Sequence, residues 1–271
     1  MPPRVKADSI YDKYKNKVYH LALGMARNEK DAEDIAQNAF IKIIKNLDKF
    51  RNESNISTWI YKITYNESLM FLRKKYRQFR LSNELAQFPK GSSKGLFINW
   101  SKLPSEELLD KEFKVRADSI IQGMPIKYRM PLLLHHAESL AIKDAAPILG
   151  LKADSFKTRL HRSYLMFKDG ISGYFKDNPE KHKSEDPRCY AWSGFVRDYA
   201  SGSLGKNRYS AFDRHIKDCP GCKVFLDTYK QAIRITGAMQ CMDLPAELKI
   251  KIETFLSPRH LNNENKRGWA R

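Results

Sequence analysis

The stretch DAEDIAQNAFIKIIKNL, residues 31–47, reads as one kind of element. Its apolar residues, Ala32, Ile35, Ala36, Ala39, Phe40, Ile43, Ile44 and Leu47, recur at i, i+3, i+4 and i+7, an unbroken stripe along one side of an α-helix. Asp31, Glu33 and Asp34 fill the first turn, where the helix dipole favours negative charge. The opposite face carries Asp34, Gln37, Asn38 and Lys45. After the short loop DKFRNESNIS, Ser57 or Thr58 is placed to cap a second helix, about 58–77. That helix is expected to bury Trp59, Ile60, Ile63 and Met70. Its other side would show Tyr61, Lys62, Tyr65, Asn66 and Arg73. It ends in RKKYRQFR, where aromatic faces alternate with cations, a composition that suits phosphates and unstacked bases but is equally that of a solvated helix end.

Outward from this pair the periodicity stays helical, with no strand-like alternation and no fixed repeat. Residues 82–106 lose periodicity, and FPKGSSKG within them has the composition of a flexible linker. From 125 to 170 the pattern reads helix, helix, turn, helix. AIKDAAPILG is a short helix with Gly150 placed to end it. In LKADSFKTRLHRSYLMF, Phe156, Leu160 and Tyr164 face inward, and Asp154, Lys157, Thr158, His161 and Arg162 lie on the outer face. Two helices joined by a tight Gly turn, the second basic on its free face, read as a helix-turn-helix. His135 and His136 are adjacent, about 100° apart on a helix, and form no chelate.

The chain has 271 residues and a formal net charge of +18, which points to a polyanionic partner, nucleic acid or an anionic membrane, rather than to a merely solvated basic surface. No run approaches the roughly 18 apolar residues that span a bilayer, and residues 1–20 lack the apolar core of a secretory signal. The expectation is a cytoplasmic protein without a membrane segment, where clustered Cys and His more often bind metal or do redox work than form disulfides. One such cluster is HIKDCPGC, residues 215–222, in a chain with four Cys. By itself it reads as a metal clamp, a redox pair or two small buried residues.

Taken in order, these segments resemble a bacterial RNA polymerase sigma factor of the extracytoplasmic-function group. DAEDIAQNAFIKIIKNLDKFRNESNISTWIYKITYNESLMFLRKK resembles region 2 of that family, and MPIKYRMPLLLHHAESLAIKDAAPILGLKADSFKTRLHRSYLMF resembles region 4. The resemblance implies an all-α protein that is not an enzyme, partnered by core RNA polymerase through its β′ clamp and β flap and by promoter DNA. It implies that Asp31, Asp34, Gln37 and Phe40 serve polymerase docking. The loop from Phe50 to Ser57, with Arg51, Asn52 and Ser54, would catch a base flipped from the −10 element, offsetting a few kcal/mol of unstacking. Trp59, Lys62, Asn66 and Arg73 would support that strand, and Lys157, Thr158, His161 and Arg162 would meet the −35 element. The sequence departs from the family pattern at Pro131 and Pro147, each expected to kink or shorten a helix, and at Lys152, where Ser or Thr usually caps the recognition helix.

The C-terminal part resembles the zinc-binding anti-sigma domains that partner this family. Their H-x3-C-x2-C signature matches His215, Cys219 and Cys222, and the resemblance implies Cys189 as the fourth ligand. Three thiolates and one imidazole suit a closed tetrahedral Zn2+ site, structural or regulatory, rather than an open catalytic one. Cys241, outside the motif, is a small buried residue or a spare thiol. The expected organisation is region 2 over 1–81, a linker over 82–106, region 4 over 107–176, a linker over 177–188, a small helical zinc-binding domain over 189–256 and a disordered tail over 257–271. The expected function is promoter recognition and −10 melting, with the C-terminal domain packing on regions 2 and 4 as a cis inhibitor that an unspecified regulator releases. The alternatives are a redox- or copper-responsive switch at the Cys cluster and a plain helix-turn-helix DNA-binding regulator.

Overall fold

The computed structural model describes residues 3–50, 55–81, 98–100, 102, 111–171, 189, 192, 194–241, 246, 247, 249 and 250. The expected linkers fall largely, and the expected tail wholly, outside the described residues, as do Arg51, Asn52 and Ser54. The chain divides into two compact bodies, the first built on residues before Ile98 and the second on most of those from Ile98 to Gln240. No helix among the described residues is long and apolar enough to cross a membrane.

The first body packs α1 (Pro3–Ala26), α2 (Glu29–Lys45) and α3 (Ile56–Leu81) against one another. Tyr11, Tyr14, Val18, Leu21 and Met25 form a seam on α1 at alternating spacings of three and four, with Ala22 beside it, and all are buried. The α2 stripe is buried as the sequence reading expects, from Ala32 through Ile43. Its start lies two residues earlier than expected, because Asn28 is the cap. The Asn28 Oδ1 accepts from the Asp31 backbone N–H at 2.9 Å, and the Asn28 amide donates back to the Asp31 carboxylate at 2.7 Å. The first bond is an N-cap, and the second, from the Asn28 side-chain Nδ2, ties the cap to the acid three residues on. The α3 cap is Asn55, not Ser57 or Thr58: its Oδ1 accepts from the backbone N–H of Ser57 at 3.1 Å. The face of α3 is also turned from the expected one. Tyr61 is fully buried, whereas Met70 is 57% exposed.

The second body holds α4 (Lys111–Gly123), α5 (Ile126–Leu132), α6 (Ile142–Ile148), α7 (Ala153–Ile171), α8 (Val196–Ala200), α9 (Lys206–Asp218) and α10 (Pro220–Gly237). Two-residue strands, β1 (Ile98–Asn99) and β2 (Gln240–Cys241), pair with each other, a feature too short for periodicity to signal. Arg129 is 1% exposed, and its Nη1 donates to the carbonyls of Gln122 and Met124 at 2.8 and 2.7 Å. It thereby satisfies acceptors that the end of α4 leaves without helical partners. A Cβ at Gly170 would sit 2.8 Å from the Ile120 side chain, so α7 can approach α4 only with glycine there.

Pro131 lies inside α5, and the turn that follows, Leu133–Ala137, widens to a π turn. The missing N–H of Pro131 removes one rung of the ladder, and the chain re-forms its bonds with longer spans, such as Glu138 N–H to Leu133 C=O at 3.0 Å. Pro147 sits near the end of α6, a helix of seven residues. Gly150 takes φ +65° and Leu151 N–H donates to Ala146 C=O at 2.9 Å, the six-to-one bond of a Schellman stop.

Candidate nucleic-acid interface and metal centre

On α2, Asp34 is exposed and Gln37 half-exposed. Asp31 and Phe40 are turned inward. Phe40 is 1% exposed and meets the Tyr11 ring edge-to-face at 5.1 Å. Asp31 is buried and ion-paired with Lys75 of α3 at 2.5 Å. On α3, Lys62, Asn66 and Arg73 are all exposed. They follow one another at i, i+4 and i+11, a single strip of the helix surface. Trp59 is half-buried, with the Phe50 ring 5.2 Å away.

In the second body α6, the Gly150 turn and α7 form the expected helix-turn-helix. Phe156, Leu160 and Tyr164 are buried, and Lys157, Thr158 and Arg162 stand exposed on the free face. His161 does not stand free. Helix α10, more than sixty residues later, packs on α7, and the Tyr229 hydroxyl lies 2.7 Å from His161 Nδ1. The two rings meet at 5.4 Å, and Tyr229 also contacts the Tyr164 ring edge-to-face at 5.9 Å. Tyr164 in turn pairs with His136 Nε2 at 2.6 Å. A further contact places the Lys168 ammonium 4.8 Å from the centre of the Phe225 ring, a cation–π geometry. Burial, then the charges of Arg197 and Arg162, lower the pKa of His161 against an opposing pull from Asp198. Burial foremost, then His135, lowers that of His136 to about 3.

The Cys/His cluster assembles around the break between α9 and α10. His215 lies in the last turn of α9, Cys219 is the residue at which α10 begins, and Cys222 lies in its first turn, with Pro220 at the position where a missing N–H is harmless. Cys189, 26 residues before His215, completes the set. The four ligand atoms lie within 4.8 Å of one another. Cys189 Sγ is 3.6 Å from both His215 Nε2 and Cys219 Sγ, and His215 Nε2 is 3.2 Å from Cys222 Sγ. A tetrahedron with metal–sulfur bonds near 2.3 Å and a metal–nitrogen bond near 2.0–2.1 Å has edges of about 3.8 Å between sulfurs and about 3.5 Å between sulfur and nitrogen. The donors therefore stand close to the edges of such a site. Burial, and then the neighbouring sulfurs of Cys189 and Cys219, push the Cys222 thiol up to about 12, so a cation bound here would have to displace its proton. Trp192 stacks over the His215 ring at 5.9 Å, holding the imidazole in place.

Sequence reasoning missed Asn28, Lys75, Arg197 and Tyr229. Asn28 carried a readable signal, an Asx residue three before an acid. The others act across tertiary contacts and have no local pattern.

Two family models match the chain: sigma-70 region 2 over residues 10–78, and sigma-70 region 4 over residues 114–166. Both spans end before the Cys/His cluster. The ECF RNA polymerase sigma factor SigW of Bacillus subtilis is 33% identical over 153 residues, covering 56% of this chain and 82% of the relative. RNA polymerase sigma factor SigV of the same organism is 29% identical over 150 residues, 55% of this chain and 81% of the relative. The ECF RNA polymerase sigma-E factor of Haemophilus influenzae is 26% identical over 162 residues, 60% and 85% respectively. Among solved structures, the sigma factor RpoE in complex with the anti-sigma factor NepR from Bartonella quintana has a similar fold, with a TM-score of 0.50 at 20% identity over 60% of this chain and 95% of that one.

Proposed function

Because the chain belongs to the extracytoplasmic-function group of RNA polymerase sigma factors, we propose that it divides promoter recognition between its two matched regions and regulates the second of them through its own C-terminal segment. In region 2, Asp34 and Gln37 supply the exposed part of the polymerase-docking face. Asp31 and Phe40 hold α2 in register beneath it. The loop from Phe50 to Ser57 receives a base flipped from the −10 strand, and Lys62, Asn66 and Arg73 follow the phosphates of that strand. In region 4, Lys157, Thr158, His161 and Arg162 meet the −35 duplex, contacts to phosphate setting the register and contacts to base edges setting the sequence. The chain does no chemistry itself. It lends sequence specificity to core polymerase in the cytoplasm.

The regulatory reading is carried by one observation: the Tyr229 hydroxyl occupies Nδ1 of His161. While α10 lies on α7, that imidazole is committed within the chain and its end of the recognition helix is covered. DNA contact by His161 and packing of α10 then exclude one another. A contact made in cis works at an effective concentration of mM order, so it needs little intrinsic strength. Cys189, His215, Cys219 and Cys222 would hold Zn2+, which when bound supplies a cross-link rather than a reaction. These four residues tie the end of α9 to the start of α10 and fix where α10 can reach.

Pull-down of core polymerase tests the sigma reading. The full chain should retain polymerase, and Asp34→Lys should weaken retention while leaving the melting temperature unchanged. A chain that binds duplex DNA alone, retains no polymerase and supports no transcript would instead be a plain helix-turn-helix regulator.

A further inference from the structure

Between α7 and the C-terminal segment the second body encloses a cavity of about 520 Å³. This lies inside the range of small-molecule sites, about 300–1,000 Å³. One wall is the recognition helix, with Leu160, His161 and Tyr164. The other is the C-terminal segment, with Arg197, Tyr229 and Ile233. Leu160, Tyr164 and Ile233 give the cavity an apolar side.

The charged groups at its edge are not balanced in what they leave open. Two carboxylates line it: Asp198 is held by Arg197, while Asp154, 95% exposed, stands at the solvent rim with Lys157 beside it. Lys157 pairs with Asp154 at 3.4 Å, and Arg197 Nε donates to Asp198 Oδ1 at 2.7 Å. Arg197 uses only that one N–H. Among the described residues its two terminal amino groups have no hydrogen-bond partner, and the side chain is about one-third exposed. A guanidinium fork with two open donors beside an apolar wall matches a carboxylate on an apolar body.

We propose that this cavity binds a small organic anion, an apolar or aromatic body carrying a carboxylate, seated against Leu160, Tyr164 and Ile233 with its carboxylate on Arg197. Both walls exist together only while α10 covers α7. A ligand that needs both therefore favours the covered form and weakens −35 binding. This inference rests on the regulatory reading above.

The test uses the full chain with its metal content recorded. Saturation-transfer NMR with benzoate, phenylacetate and hexanoate, and with benzylamine as the cationic counterpart, reads binding directly. The expected result is saturable binding of at least one of the three acids, one per chain, and none of benzylamine. Arg197→Ala should weaken that binding at least about tenfold, the loss expected for a charge-assisted pair of hydrogen bonds, and Arg197→Lys should restore part of it. The bound acid should also lower affinity for a promoter duplex. Absence of binding by all three acids at millimolar concentration, equal binding of benzylamine, or binding unchanged in Arg197→Ala would overturn the proposal. The two ideas fail separately. If Tyr229→Ala strengthens DNA binding but no acid binds, the cis contact stands and the ligand site falls. If the acid binds through Arg197 but Tyr229→Ala leaves DNA affinity unchanged, the coupling of site to recognition helix falls.

Discussion

Replacing Tyr229 should release the recognition helix, by an amount that depends on how much of the side chain is removed. Tyr229→Phe keeps the ring and deletes the hydroxyl that lies 2.7 Å from His161 Nδ1. A hydrogen bond of this kind contributes about 0.5–1.5 kcal/mol net, and about 1 kcal/mol shifts the covered-to-open equilibrium roughly fivefold. Tyr229→Ala also removes the edge-to-face contacts with His161 and Tyr164. At about 0.5–1.5 kcal/mol each, these bring the total to about 1.5–4.5 kcal/mol, on the order of a hundredfold at its midpoint. The ceiling is the affinity of a chain without α10. Promoter duplexes can be selected from a random library by polymerase carrying residues 1–178, and affinity for them read by fluorescence anisotropy. The account predicts tightening about fivefold for Tyr229→Phe and more for Tyr229→Ala, with metal content unchanged for the Phe variant. Equal affinity for wild type and both variants would refute the idea that this contact restrains DNA binding.

Three further outcomes follow from other parts of the molecule. Cys219→Ser should abolish a stoichiometric metal, read as one zinc per chain in the wild type by plasma mass spectrometry and a lowered melting temperature of the second body; a metal-free wild type would contradict the site. Lowering the pH should open the covered form. The covered His161 has a lowered pKa, while an uncovered ring titrates near its ordinary 6.5, so closure is at full strength above about pH 6.5 and is lost as pH falls. Arg197 keeps its charge over this range, its pKa raised first by the hydrogen bond to Asp198, and Asp198 remains ionised, its pKa lowered first by that same bond. Between pH 7.5 and 5.5 the opening equilibrium of α10, read as the hydrogen-exchange rate divided by the intrinsic rate at each pH, should rise by at most about tenfold, and His161→Gln should remove the dependence. Asp31→Ala deletes the hydrogen bond from the Asn28 side chain and a partly exposed ion pair with Lys75, and should cost the first body about 1–2 kcal/mol in thermal unfolding. An unchanged melting temperature would mean that Asp31 does not hold α2.

The helices that lie half-buried along their length were readable, because burial writes a period of 3.6 into the residues. The α2 stripe and the Phe156, Leu160 and Tyr164 side of α7 both fell where the spacing put them. The seam of α1, from Tyr11 to Met25, was equally periodic but was not drawn from the sequence. On α3 the periodicity was ambiguous: aromatic and apolar residues occur on nearly every side, so Tyr61 and Met70 exchanged places. Three members of the metal cluster are local, four and three residues apart, and announce themselves. Cys189 is 26 residues away and came only through resemblance. What spacing could not supply was the cover on His161. An outward position on an isolated helix is outward only until another helix arrives, and the residue that meets it, Tyr229, lies 68 positions on.

The most direct test is run-off transcription with core polymerase on selected promoters, comparing the full chain with residues 1–178. The account predicts that both require polymerase, and that the shorter chain, freed of α10, gives the stronger transcript. A full chain that transcribes while the shorter one is silent would contradict it, making the C-terminal segment an activating part rather than a restraint.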